Sequence, residues 1–225
     1  MFYFHGTRKP NFKDVQNLNY DDYWKFRGFR LRGKLREREY IFIDWIKDGS
    51  SVLDLACGNS PLLLELKNKK KCLVKAIDIS PTVINEQDKL GVSGFVGNFN
   101  DSDFTLDKFY DYIVLNETIE HSAQPEMVIK RIKKHSRYLM FSIPNSAFYR
   151  YRIGLMFRGR FFTQWAYHPS EHLRYWSHID FMDWLGAMGL KIIKCQSSNG
   201  FKIGKNLWKN LLGHQICYLT KTDEN

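Results

Sequence analysis

Apolar residues gather in short runs along this chain, separated by polar stretches rich in glycine and charge. The run Ser51-Val52-Leu53-Asp54-Leu55 breaks into Ala56-Cys57-Gly58-Asn59-Ser60-Pro61 ahead of a leucine-rich stretch. A compact apolar run bounded by small turn residues reads as a buried strand; Ser60 then Pro61 reads as a helix start, with serine as the cap and proline at the first helical position. Strand, tight turn and helix are therefore predicted in succession. Further strands are expected over 73–78, 94–98, 110–115, 138–143, 190–195 and 215–220. Helices are expected over 20–46 with breaks at Gly28 and Gly33, from Ser80-Pro81 to near Gly91, over 126–135 and over 177–188. Residues 1–19 show no periodicity, and 201–212 reads as a helical or irregular link. Strands that alternate with helices in this way predict an α/β fold around a mostly parallel sheet.

The turn after the first strand carries the first candidate chemistry. Ala56 and Gly58 bring almost no side chain, so a ligand can lie against bare backbone there, as nucleotides do at a strand-to-helix turn. Asp78 closes the second strand 20 residues beyond Gly58 (78 − 58), the separation at which an acid meets ribose hydroxyls in Rossmann-like folds. The Gly-x-Gly-x-x-Gly pattern of dinucleotide dehydrogenases is absent. Asp54-Leu55-Ala56-Cys57-Gly58-Asn59-Ser60 resembles instead the first motif of class I S-adenosylmethionine-dependent methyltransferases, acid-x-Gly-x-Gly-x-Gly, with Ala56 and Ser60 in place of the outer glycines. That resemblance implies a Rossmann-like seven-stranded sheet whose last strand is antiparallel, and S-adenosylmethionine as cofactor. It implies that Asp54, Ala56, Cys57 and Gly58 face the methionine part, Asp78 and Ile79 the ribose, and Asn98 or Phe99 the adenine. Asn116 and Glu117, at the end of the fourth strand, are expected beside them.

Composition narrows the setting. The 225 residues suit a single domain, here 1–225, with 1–46 as an N-terminal helical cap and 143–177 as a lid-like insertion after the fifth strand. Hydrophobic content of 44% and aromatic content of 16% exclude a disordered tail. No apolar run reaches membrane-spanning length and the first residues lack signal-peptide zones, so the expected location is cytoplasmic. Cys57, Cys72, Cys195 and Cys217 stand far apart without a Cys-x-x-Cys pair and read as reduced core residues. A net charge of +10 draws polyanions or phosphorylated metabolites without choosing between them.

Candidate acceptor-binding residues lie at both ends of the domain. In many class I methyltransferases an N-terminal helix bearing Tyr and Trp closes over the site, which by resemblance places Tyr20, Tyr23 and Trp24 there; ordinary helix packing is the alternative. Arg27, Arg30, Arg32 and Arg36 follow, and one or two of them, Arg30 among them, can fork onto phosphate or carboxylate. Glu120-His121, beyond the fourth strand, matches a Glu-His pair common in the small-molecule branch of the fold; His121 is either a general base or a loop prop. Ile143-Pro144-Asn145, the arginine-punctuated run ending Arg158-Gly159-Arg160, and the stretch from Tyr167 to Trp176 together resemble the MetW-like methyltransferases. Over this insertion Tyr167, His168, His172 and Arg174 are expected to line an acceptor pocket, with His168 and Tyr23 joining His121 as catalytic candidates. His168-Pro169-Ser170-Glu171-His172 also spells His-x-x-Glu-His, but the only later glutamate is Glu224 in the polar tail, so no metal is expected.

These readings converge on methyl transfer to a small anionic acceptor, phosphorylated or nucleotide-linked, such as a capsular phosphoramidate precursor. Two rivals stand beside it. One is the MetW partner of a homoserine acyltransferase in methionine synthesis, or a self-associating chain of that kind. The other, ranked lower because no RNA-binding module is evident, is an RNA methyltransferase.

Overall fold

The computed structural model describes residues 19–26, 28–159, 161–162 and 171–222. Helices α1 (Tyr20–Phe26) and α2 (Glu37–Trp45) precede β1 (Ser51–Leu55), α3 (Leu62–Lys70), β2 (Leu73–Asp78), α4 (Pro81–Lys89) and β3 (Gly94–Val96). Then come β4 (Tyr110–Asn116), α5 (Pro125–Ile132), β5 (Ser136–Pro144), α6 (Tyr149–Arg158), α7 (His178–Ala187), β6 (Leu190–Gly200), α8 (Lys209–Leu212) and β7 (Gly213–Thr222). The seven strands form one sheet in the order β3-β2-β1-β4-β5-β7-β6. β7 runs antiparallel to β5 and β6, and the pairings from β3 through β5 are all parallel.

Alternation along the central strands builds two cores. Val52, Val114, Met140 and Cys217 face α2, α3 and α4, which present Phe42, Leu62, Leu66 and Val83. Leu53, Ile113, Leu115 and Phe141 face α5 and α7, which present Val128, Ile129, Phe181 and Leu185. Both faces of β1 and β4 are thus covered, which is why Val52-Leu53 and Ile113-Val114-Leu115 are apolar at successive positions. Each fully buried leucine or isoleucine contributes about 1.5–3 kcal/mol against its exposed state.

Several boundaries differ from the expected ones: β3 ends at Val96, short of Asn98, and two other differences have a visible cause. Pro61 sits at the α3 cap position and the helix opens at Leu62, one residue later than the serine-cap reading. Ser60 still accepts from the Leu62 N–H at 3.2 Å, but its hydroxyl donates to Glu39 at 2.7 Å, a distant partner that draws it out of the cap position. β6 continues through Gln196-Ser197-Ser198-Asn199 to Gly200, because β7 supplies an antiparallel partner as far as Gly213 that polar side chains do not announce. Cys57, Cys72 and Cys217 are buried, and all four cysteines are free.

Candidate active site

The carboxyl ends of β1, β2 and β4 meet where the strand order reverses, the place open α/β sheets use for ligands. Immediately after β1 the backbone turns left-handed at Ala56 (φ 62°) and again at Gly58 (φ 52°). Glycine takes this geometry freely; alanine at Ala56 costs about 1–2 kcal/mol. The turn is held from outside, since the N–H groups of Ala56 (2.7 Å) and Cys57 (3.3 Å) both donate to the Ile77 carbonyl on β2. Asp78 then receives the Gly58 N–H on Oδ2 at 2.9 Å and the Ser80 N–H on Oδ1 at 3.0 Å. Burial raises the Asp78 carboxyl, and those backbone donors partly offset the rise.

Asp54 has no such support. Its side chain is 1% exposed, and neither carboxylate oxygen has a hydrogen-bond partner among the described residues. Burial first, then the negative charges of Glu39 and Asp78, push it up to about 8, with Arg32 opposing. A buried acid left bare in this way is an unmet demand for a cation or donor.

Helix α1 lies over the cradle on three anchors. Asp21 Oδ1 accepts from the Ser80 hydroxyl at 2.5 Å and the Thr82 N–H at 3.1 Å, the latter at the start of α4, where a carboxylate also complements the helix dipole. The Trp24 indole covers Gly58 so closely that a methyl group added there would meet it at 3.2 Å. The Tyr20 hydroxyl lies 3.2 Å from His121 Nδ1, and burial, with Glu171 and Glu120 nearby, raises its phenol.

Under the β4 end runs a buried polar floor organised by α2. Glu39, 0% exposed, pairs with the Arg32 guanidinium and accepts from the Arg36 N–H at 2.7 Å. Burial alone would raise Glu39; Arg32 holds it below its ordinary range. Arg38 Nε donates to Asn116 Oδ1 at 2.7 Å, and its Nη2 pairs with Glu117 at 2.7 Å. Glu117, left-handed at φ 55°, also accepts from the Gln215 amide; burial raises it, but Arg38 and Arg36 bring it net below its ordinary range. The side chains of Asn116 and Glu117 therefore serve the floor.

Above that floor a short 3₁₀ turn, Ile119–His121, carries Glu120 and His121. The Leu173 and Arg174 N–H groups donate to the Glu120 carbonyl at 2.9 and 3.0 Å, which brings His172 against His121, ring centres 4.7 Å apart. Glu120 is 1% exposed with both carboxylate oxygens unpartnered among the described residues, and burial drives its carboxyl well up. Burial likewise lowers His121, and lowers His172 to about 3.

Of the residues singled out in the sequence, Asp54, Ala56, Cys57, Gly58 and Asp78 converge on the cradle, with Trp24 laid over it. Tyr20, His121 and His172 gather beside it. Tyr23 stacks edge-on between Tyr20 and Trp24. Ile79 is 43% exposed next to Asp78. Asn98 is folded into its own loop, donating to Asp101 and accepting from the Asn100 N–H, while Phe99 packs on the core face below. Arg30 is exposed, and Arg174 donates to the Ala123 carbonyl at 2.6 Å. Tyr167 and His168 lie outside the described residues, as does Arg27. Sequence reasoning missed Arg38 and Glu39; their only signal was two charges inside an apolar helix face.

The fold is that of solved S-adenosylmethionine-dependent methyltransferases. A solved methyltransferase of this type from Aquifex aeolicus superposes with a TM-score of 0.60 at 18% identity, covering 89% of this chain and 97% of that one. Residues 36–220 match the model of methionine biosynthesis protein MetW, and the chain belongs to that family. A bifunctional methionine biosynthesis protein MetXA/MetW from Rhodopirellula baltica is 23% identical over 170 residues, 68% of this chain and 27% of that protein. An (S)-tetrahydroprotoberberine N-methyltransferase from Eschscholzia californica is 36% identical over 93 residues, 39% of this chain. The chain spans about a quarter of the length of these curated relatives, 27% in each case.

S-adenosylmethionine is the cofactor this fold implies, and the residues present fit it. Asp54 offers a bare buried carboxylate to an ammonium group, Asp78 retains lone pairs for hydroxyls, and Gly58 leaves the backbone uncovered.

Proposed function

We propose that this chain transfers a methyl group from S-adenosylmethionine to an oxygen of a small anionic acceptor, phosphorylated or nucleotide-linked, a class that includes precursors of surface polysaccharides. The observation that carries the methyl-transfer reading is Asp54, whose buried carboxylate lacks a partner among the described residues beside the left-handed Ala56–Gly58 turn. When bound, the cofactor supplies an activated sulfonium methyl. The chain's own residues then have three tasks: Asp54 and Asp78 hold the donor, α1 excludes water, and the β4 end orients the acceptor. Net charge of +10 and the exposed Arg30 support an anionic acceptor, whereas Arg32 is engaged with Glu39, and Arg36 and Arg38 with Glu117. Calorimetric titration with S-adenosylmethionine tests this reading, with Asp78→Ala as control: binding that the variant loses supports it, and no binding by the folded wild type overturns it.

A second reading, partnership with an acyltransferase, draws support from the fused Rhodopirellula baltica relative. It also draws on exposed apolar side chains on α6 and the 201–208 segment, notably Met156, Phe157, Ile203, Leu207 and Trp208. Tyr149 and Phe201 bring the two segments together. Co-purification with a homoserine acyltransferase would favour it. Among the described residues no helix is long and apolar enough to cross a membrane.

A further inference from the structure

Glu120, His121 and His172 each present a ligand-type atom, all within 4.8 Å of one another. Such proximity is common without an ion, so the case rests on what those atoms do. Both Glu120 oxygens are buried and unpartnered among the described residues, and so is His172 Nδ1. A buried acid and a buried imidazole nitrogen that lie within reach of each other, unbonded among the described residues, leave polar atoms with nothing to satisfy them.

The second observation is the orientation of His121. Its Nδ1 is engaged by the Glu171 backbone carbonyl, which requires a proton on that nitrogen and leaves the lone pair on Nε2. A ring N–H anchored to a carbonyl is the arrangement by which proteins orient a metal-ligating histidine. The same backbone segment donates from Leu173 and Arg174 to the Glu120 carbonyl, so His172 is tied to the turn that bears the other two groups. Glu117, three residues earlier, is excluded from the set because Arg38 and Gln215 hold its oxygens.

We propose that Glu120, His121 and His172 bind one divalent first-row transition ion, and that its remaining coordination positions take an oxygen of the methyl acceptor. Two imidazoles and one carboxylate suit manganese, iron, cobalt or zinc better than magnesium, which demands oxygen. Three protein ligands leave positions open, as in catalytic rather than structural sites. An acceptor hydroxyl bound there releases its proton to solvent more readily. Its oxygen then forms the O–C bond as the S–C bond of the sulfonium breaks and the electron pair returns to sulfur. His121 is in this account a ligand and not the proton acceptor. The acceptor half rests on the methyl-transfer reading; the ion site does not.

The test titrates chelator-treated protein with cobalt(II) chloride, followed by visible absorption, and with manganese(II) chloride, followed by electron paramagnetic resonance. One saturable ion per chain is expected, with affinity lowered at least about tenfold in both Glu120→Gln and His172→Ala. Circular dichroism checks that each variant is folded, and either folded variant decides the matter. No saturable binding by the wild type, or binding unchanged in a folded variant, overturns the site. Adenosine monophosphate, which carries both phosphate and hydroxyl oxygens, should displace water from bound manganese and lower its water-proton relaxation enhancement; an unchanged enhancement overturns the acceptor half. S-adenosylmethionine titrated separately keeps the two readings apart: its failure to bind while cobalt binds refutes the methyl-transfer reading alone.

Discussion

Replacing Asp54 with asparagine should make the free protein more stable at high pH while weakening cofactor binding. The Asp54 carboxyl sits at about 8 instead of its ordinary 3.8, because it is buried and faces Glu39 on α2 and Asp78 on β2, with Arg32 the opposing charge. The direction follows from proton counting. Below 3.8 the acid is protonated in both folded and unfolded chains and costs nothing. Between 3.8 and about 8 unfolding releases a proton, so stability falls as pH rises; above that the penalty is complete and constant. At about 1.4 kcal/mol per pH unit the ceiling is on the order of 6 kcal/mol, and relaxation around a buried charge reduces it to about 1–3 kcal/mol. Asparagine removes the ionisation and keeps the shape. Urea unfolding at about pH 3.5, 7 and 9 should therefore show Asp54→Asn nearly matching the wild type at the lowest pH and exceeding it by about 1–3 kcal/mol at pH 9. The same variant should bind S-adenosylmethionine at least about tenfold more weakly, having lost a charge-assisted partner for the ammonium. A gap that does not widen with pH, or a variant less stable at pH 9, would refute the assignment of Asp54 as an unpartnered acid.

Three further outcomes follow from the same geometry. Ala56→Gly, which relieves a left-handed alanine at φ 62°, should raise the thermal midpoint by an amount equivalent to about 1 kcal/mol; a lower midpoint would mean the turn is not strained. Arg32→Met leaves the fully buried Glu39 without its ion-pair partner and should cost about 3–5 kcal/mol in denaturant unfolding, against well under 1 for the exposed Lys69→Met. Because Arg32 holds Glu39 below its ordinary 4.5, the stability from that pair is present above pH 4.5 and lost as pH falls, so the two unfolding curves should converge in acid. Trp24 lies against Gly58, so cofactor binding should change tryptophan emission, and Trp24→Phe should remove most of that change while α1 stays in place; an undiminished signal would show that the indole stays clear of the cofactor.

The sheet was legible because its strands obey one rule. Val52-Leu53 and Ile113-Val114-Leu115 are buried on both faces, so no polar residue interrupts them, and Asp54 and Asp78 stand out as acids at the ends of apolar runs. What escaped was whatever depends on partners distant in sequence. Arg32 reads as a solvated or anion-binding charge until Glu39 is seen beneath it, and Arg38 is read only through Glu117 and Gln215, the latter 177 residues away. The grouping of His172 with Glu120 and His121 spans some fifty positions and is made by backbone hydrogen bonds to the Glu120 carbonyl, which no side-chain motif encodes. The local His-x-x-Glu-His spelling pointed His172 toward Glu171 and His168 instead.

The seven-residue α1 has a consequence for the timing of events. A helix of two turns does not persist in water by itself, so α1 holds its shape through Asp21 on α4, Trp24 on Gly58 and Tyr20 on His121. One of those footholds, Gly58, is a surface a bound cofactor would claim, and another, His121, belongs to the ion site proposed beside it. Arrival of the donor must therefore renegotiate the helix's grip, leaving Asp21 as its pivot. The pace of turnover would then be set less by bond making than by how quickly this short segment lets go and takes hold again.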